Sequence, residues 1–164
     1  RAVIASFRDA GLVSVILIGL LLVVLLRRIR DILYVFAPLL LAALLTVAAS
    51  VLFKVPFNFA NVIVLPLLFG LGVAGGIHLV LRERDQTGSA DVLHTSTPRA
   101  VMFSALTTIG SFSTIALSSH PGTASMGVLL SIAIVLTLIC TLLVLPALMV
   151  IWPVTRDLGE SRKQ

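Results

Sequence analysis

The chain has 164 residues, 59% of them hydrophobic and 12% charged, with a net charge of +5. Soluble domains carry about 25% charged residues; here the few charges cluster and leave apolar runs of membrane-spanning length between them, which excludes a soluble globular domain. Nucleic-acid binding is excluded too: the basic residues sit in short segments beside those runs, as topology signals do, with no aromatic-and-basic stripe.

The expected fold class is all-α, a polytopic transmembrane helix bundle of five spans. The first span is expected over residues 10–26. Ahead of it Val3, Ile4, Phe7 and Gly11 recur at helical spacing between Arg1, Arg8 and Asp9. Residues 1–10 therefore read as an amphipathic stalk helix leading into the membrane. Arg27, Arg28 and Arg30 close that span, and Asp31 is a candidate N-cap for the next. The second span covers 32–53, with Pro38 expected to kink it. Residues 54–58 form a tight connection. The third span covers 59–81 and holds Pro66, Gly70, Gly72, Gly75 and Gly76 before Arg82, Glu83, Arg84 and Asp85 end it. Residues 86–97 are the longest polar connection. The fourth span covers 98–117, with Thr97 as N-cap and Pro98 at the first helical position. Residues 118–122 form a turn, and Pro121 starts the fifth helix. That span, 123–151, is about 43 Å long at the helical rise, against a hydrocarbon core of about 30 Å. It must tilt, kink at Pro146 or protrude. Trp152 stands where an interfacial anchor belongs. The bundle thus covers 11–152, and 153–164 form a polar cytoplasmic tail.

Orientation follows from the basic residues. Nine of them (Arg27, Arg28, Arg30, Arg82, Arg84, Arg99, Arg156, Arg162 and Lys163) fall on one side, and three (Arg1, Arg8 and Lys54) on the other. The positive-inside rule then puts the C-terminus in the cytoplasm and the N-terminus outside. The chain opens at Arg1 with neither an initiator Met nor a signal peptide. It reads as a fragment of a longer protein with at least one span ahead of it.

Two helices carry side chains of interest. On the third, Gly70, Ala74 and His78 share one face and Gly72 and Gly76 another. Small residues allow close backbone approach, so Gly70, Gly72, Ala74, Gly75, Gly76 and Pro66 are helix-packing candidates. Pro66 also frees a carbonyl near Val62, which needs a partner or water. Packing with a kink and a weakened helix at a transport site both fit this pattern. His78, one turn before Arg82, is a proton or substrate candidate or an interfacial histidine. On the fourth helix Ser104, Thr107, Thr108, Ser111 and Ser118 form one hydroxyl face, which should turn into the bundle or a wet cavity. These hydroxyls either bond between helices or line a proton or substrate path. The two helices are expected to pack together, with Gly70, Ala74, Thr107 and Thr108 near a common midplane cavity.

Other chemistry is missing from the pattern. All seven acids lie outside the spans or at their edges, whereas a proton relay inside a membrane usually needs one within. No phosphate-binding loop, HExxH motif or nucleophile–base pair occurs, so no enzyme activity is expected. Cys140, the one cysteine, offers neither a disulfide nor a metal site. No metal and no cofactor are expected.

Several segments are similar to a known family. Phe57-Asn58-Phe59-Ala60-Asn61-Val62-Ile63, followed by the run from Gly70 to His78, resembles the tenth helix of an RND-superfamily transporter. Ser96 to Val101 with Ser104 to Phe112 resembles the eleventh. His120-Pro121-Gly122 with Leu145-Pro146-Ala147-Leu148 is similar to the start and end of the twelfth. The similarity covers nearly the whole chain and is greatest to the MMPL-like group, particularly the hopanoid-biosynthesis-associated transporters. It implies spans eight to twelve of a twelve-span protein built from two six-helix repeats. It further implies proton-driven export of lipids, hopanoids among them, from the bacterial inner membrane toward the outer one. The partners implied are membrane lipids, the N-terminal half and periplasmic domains of the same protein, and further copies in a homo-oligomer. Family members often carry an acid one turn after the first glycine of the glycine-rich helix; this chain has Ala74 there. A non-transporting lipid-sensing or scaffolding module is the alternative, because sterol-sensing bundles resemble the same helix core.

Overall fold

The computed structural model describes residues 2–26, 29–55, 63–85 and 96–151. They form five helices: α1 (Ala2–Leu26), α2 (Ile29–Leu52), α3 (Val64–Asp85), α4 (Ser96–Ile115) and α5 (Pro121–Ile151), with no strand among the described residues. The fold class is all-α, a membrane helix bundle. The connections at 56–62 and 86–95, Trp152 and the tail at 153–164 lie outside the described residues.

α1 runs without a break from the amphipathic segment into the apolar one. Asp31 is not an N-cap. It is the third residue of α2, where a carboxylate still complements the partial positive charge of the helix N-terminus. At the other end of α2, Lys54 is left-handed (φ 53°). Val55 N–H donates to Ser50 O at 2.9 Å and Lys54 N–H to Val51 O at 3.2 Å. This paired closure satisfies carbonyls that a helix end otherwise leaves open.

Pro66 does not kink a helix interior. It is the third residue of α3, where the first turn needs no amide donor, and Leu67 N–H bonds to Ile63 O at 3.1 Å. The freed carbonyl expected near Val62 lies outside the described residues. α3 continues through Arg82 to Asp85 rather than ending at the charges. Pro98 likewise falls in the first turn of α4, two residues inside its start, and α4 ends at Ile115. Pro121 opens α5, whose 31 residues include Pro146.

Among the described residues three helices, α2, α3 up to Arg82, and α5, are long and apolar enough to cross a membrane. α1 contributes a shorter apolar stretch, Leu12–Val24. α4 is the most polar of the five apolar segments because hydroxyl residues recur along its 20 residues.

α5 is the hub, packing against α2, α3 and α4, while α1 packs on α3 and α2. The core joins Val35 and Leu39 of α2, Leu68, Val73 and Val80 of α3, and Leu129, Leu130, Ala133 and Leu145 of α5. The outer faces of α1 and α2 present Ile16, Leu20, Val24, Leu40, Leu44 and Val51. A continuous apolar surface of this kind is a liability in water and a fitting contact for lipid tails.

Candidate functional site

The glycines of α3 face different neighbours. Gly72 is buried against Leu39 of α2 and Thr137 of α5, and Gly76 against Val35 of α2. Lack of a side chain at these two positions lets α3 approach α2 and α5 closely. Gly75 approaches α4, where an added Cβ would lie 3.3 Å from Val101 Cγ1. Gly70 packs nothing: it is exposed, with no atom within 4 Å of an added Cβ. Ala74 and His78 on the same stripe are exposed as well. Among the described residues that stripe meets no facing helix closely at Gly70.

α4 is held mainly by α5. Buried Gly127 lies against the backbone of Ile115 and Ala116 at the end of α4. Ser113 and Ser131 share a hydrogen bond of 3.2 Å across the same interface. Toward the other end of α4, Val101 meets Gly75. α4 touches α3 little, and a cavity of about 600 Å³ opens between α3, α4 and α5, with the Gly75–Val101 contact in its wall. Its α3 wall is Leu68, Leu71, Gly72, Ala74, Gly75 and His78; its α4 wall is Ala100, Val101, Ser104, Ala105 and Thr108; its α5 wall is Ile134, Thr137, Leu138 and Thr141.

Of the residues singled out from sequence, this cavity brings together His78, Ser104 and Thr108 with Gly72, Ala74 and Gly75. Gly70, Thr107 and Ser111 do not line it. Thr107 and Ser111 are exposed, so the hydroxyl face of α4 is not turned wholly inward. They tolerate that because each bonds back onto its own helix: Thr107 Oγ1 to Ser104 O at 2.8 Å, Ser111 Oγ to Thr107 O at 3.0 Å. Thr108 Oγ1 does the same, also to Ser104 O at 2.8 Å.

Two cavity residues escaped the sequence reading. Thr137 and Thr141 are buried on α5, which is apolar nearly all round. The signal was there in the spacing Ala133, Thr137, Cys140, Thr141, a small-and-hydroxyl stripe at helical intervals. Asp31 also matters more than its place at a span edge suggested. It is only 1% exposed, on the buried face of α2 with Tyr34 and Val35.

The chemistry of the cavity is limited and clear. Apolar walls alternate with hydroxyls, and His78 contributes the one imidazole among the described lining residues. Among the described residues no cluster could hold a metal ion. A concave, mostly apolar space of this size with a few convergent polar groups suits a small or medium apolar molecule.

Comparison with known proteins agrees with this chemistry. The chain is 47% identical to the hopanoid transporter HpnN of Rhodopseudomonas palustris over 90% of its length, and 43% identical to that of Burkholderia multivorans over 91%. The chain is homologous to the HpnN transporters of the RND superfamily. It spans 17% of the length of each of these two relatives. It is also 31% identical to the putative membrane protein MJ1562 of Methanocaldococcus jannaschii, over 86% of the chain and 37% of that protein. No protein-family model matches. Homology to membrane proteins and the apolar helices together make this a multi-pass membrane protein.

Proposed function

We propose that this chain is the C-terminal transmembrane part, spans eight to twelve, of a proton-driven RND-type exporter that moves lipids, hopanoids above all, from the bacterial inner membrane toward the outer one. The observation that carries the reading is the 47% and 43% identity to two hopanoid transporters along nine-tenths of the chain. The α3–α4–α5 cavity supports it, because a largely apolar chamber inside a membrane bundle is a place for a lipid. All five helices cross the membrane in this reading, α1 by way of its apolar segment and α4 sheltered by its neighbours. The nine-to-three division of basic residues orients the N-terminus to the periplasm and the C-terminus to the cytoplasm.

The exposed stripe Gly70, Ala74, His78 and the exposed hydroxyls Ser104, Thr107 and Ser111 belong against protein or water rather than lipid tails. In the full protein Gly70, Thr107 and Ser111 meet the other six-helix repeat, while Ala74, His78 and Ser104 face the cavity. Proton coupling resides in that repeat too, since position 74 is an alanine and no described acid lines the cavity. The assembly is a homo-oligomer whose periplasmic domains continue the lipid's path.

The test is movement. The full-length protein carrying this segment is reconstituted into vesicles loaded with a radiolabelled hopanoid, and a pH gradient is imposed. Gradient-dependent departure of the hopanoid to acceptor vesicles is expected. Hopanoid binding without movement under any gradient overturns the export reading in favour of a lipid-sensing module.

A further inference from the structure

We infer that the α3–α4–α5 cavity is polarised along its length and takes a neutral amphiphile in one orientation, its hydrogen-bonding end against His78, Ser104 and Thr141 and its apolar skeleton against Leu68, Leu71 and Ile134. The inference rests on the reading of this cavity as a lipid site and names which end of the molecule goes where.

The helix directions set the two ends. Gly72 of α3 meets Thr137 of α5 as well as Leu39 of α2, and Gly75 of α3 meets Val101 of α4. α5 runs antiparallel to α4, because Gly127 meets Ile115 and Ala116 while Ser131, a turn further on, meets Ser113. Val101 therefore projects beyond Thr137 along α5, and since Gly72 meets Thr137 and Gly75 meets Val101, α3 runs the same way as α5. α4 runs against them, and its Ala100, Val101 and Ser104 stand at the His78 end. The α3 wall from Leu68 to His78 rises about 15 Å, half the thickness of the hydrocarbon core.

The donors are distributed unequally. Thr108 Oγ1 is spent on Ser104 O and Thr137 Oγ1 on Ala133 O at 2.7 Å. The Ser104 and Thr141 hydroxyls and the His78 ring make no hydrogen bond to the described residues. Three groups with donors and acceptors to offer therefore gather at one end, and the other end offers Leu68, Leu71 and Ile134.

Charge narrows the ligand further. No described Asp, Glu, Lys or Arg lines the cavity. A charged head group would lie there without a full partner, which is costly in a low-dielectric site. An alcohol is suited: it donates to the imidazole or a hydroxyl and accepts from another. Exposed Arg82 and Arg99 lie beyond the polar end. In the proposed orientation that end faces the cytoplasm, so the amphiphile sits as a lipid of the cytoplasmic leaflet does, head inward.

Two pentacyclic probes, the alcohol diplopterol and diploptene, the alkene it gives on loss of water, test this. Their binding to the full-length protein in nanodiscs is measured without any gradient. The wild type should prefer the alcohol by about tenfold, the value of roughly one net hydrogen bond. The double variant Ser104→Ala, Thr141→Val should lose that preference and keep its affinity for the alkene. Leu71→Trp, which fills the apolar end, should weaken both probes alike. If the double variant does not purify as a folded protein, Ser104→Ala and Thr141→Val alone should each cut the preference by about threefold. Equal affinity of the wild type for both probes, or a preference that survives these substitutions, overturns the inference. A wild type that exports hopanoid but shows no preference sinks this inference alone. One that shows the preference but moves no hopanoid sinks the export reading and leaves the orientation standing.

Discussion

Gly72 of α3 lies against the Leu39 side chain of α2 with no room for a methyl group between them, and an added Cβ would also come within 2.8 Å of Thr137 Cγ2 on α5. Position 72 is thus the point where α2, α3 and α5 close on one another. Two residues away, Gly70 has nothing within 4 Å. The two glycines separate packing from mere smallness in one helix.

Gly72→Ala should destabilise the protein by about 1–3 kcal/mol through overpacking. Gly70→Ala should be neutral or stabilising by up to about 1 kcal/mol, from the better helix propensity of alanine. Thermal unfolding of the detergent-purified full-length protein measures both. Equal effects at 70 and 72 would mean that the α2–α3–α5 junction gives way without strain.

Gly127→Ala should be worse tolerated than Gly72→Ala. At Gly127 the obstacle is the backbone of Ile115 and Ala116 rather than a side-chain tip. Backbone atoms cannot move aside by a rotamer change, so α4 must shift as a whole, at a cost near or above about 3 kcal/mol. Yield and melting temperature below those of Gly72→Ala are the expected result; a Gly127→Ala protein as stable as wild type would show that α4 floats freely at this crossing.

Lys54 is the one described residue other than glycine with a positive φ. Lys54→Gly and Lys54→Ala remove the same charge, but only alanine keeps the steric cost of the left-handed conformation. The glycine variant should be the more stable by about 1 kcal/mol. Matching melting temperatures for the pair would argue against the helix closure at Ser50 and Val51.

The Ser113–Ser131 hydrogen bond joins α4 to α5. In membrane bundles such bonds couple by about 0.6 kcal/mol on average. A double-mutant cycle with Ser113→Ala and Ser131→Ala should return a coupling of that order. Ser131 also bonds back to Gly127 O at 2.9 Å, so its single substitution should cost more than that of Ser113. A coupling indistinguishable from zero would sink the link.

Much of the fold was legible in the residues themselves. Long apolar runs, punctuated by charges and prolines, mark five helices, because a backbone in lipid must bond within its own segment. Helix ends were less legible. Pro66, Pro98 and Asp31 all lie inside first turns, since a turn without amide partners accepts a proline or a carboxylate at any of its positions. The candidate site was half legible. Periodicity put Gly72 and Gly76 on one face and Gly70, Ala74 and His78 on another, but it could not say which face meets a helix. The hydroxyl stripe of α4 divides for a related reason: Ser104 and Thr108 line the cavity, whereas a hydroxyl that bonds its own helix carbonyl, as Thr107 does, needs no neighbour. The interhelical bond instead fell to Ser113, off the centre of that stripe.

By itself, then, the sequence determined the solvent and the units: a lipid-facing bundle of helices, with its small and hydroxyl residues sorted by helical period. Those follow from local chemistry, the cost of bare backbone and charge in hydrocarbon. Only the tertiary structure decided that α5 is the hub, that Gly127 and Gly75 approach α4 at two points, and that a cavity opens between α3, α4 and α5 with Thr137 and Thr141 in its wall. Which faces meet depends on the shapes of all five helices together, and no single helix carries that information.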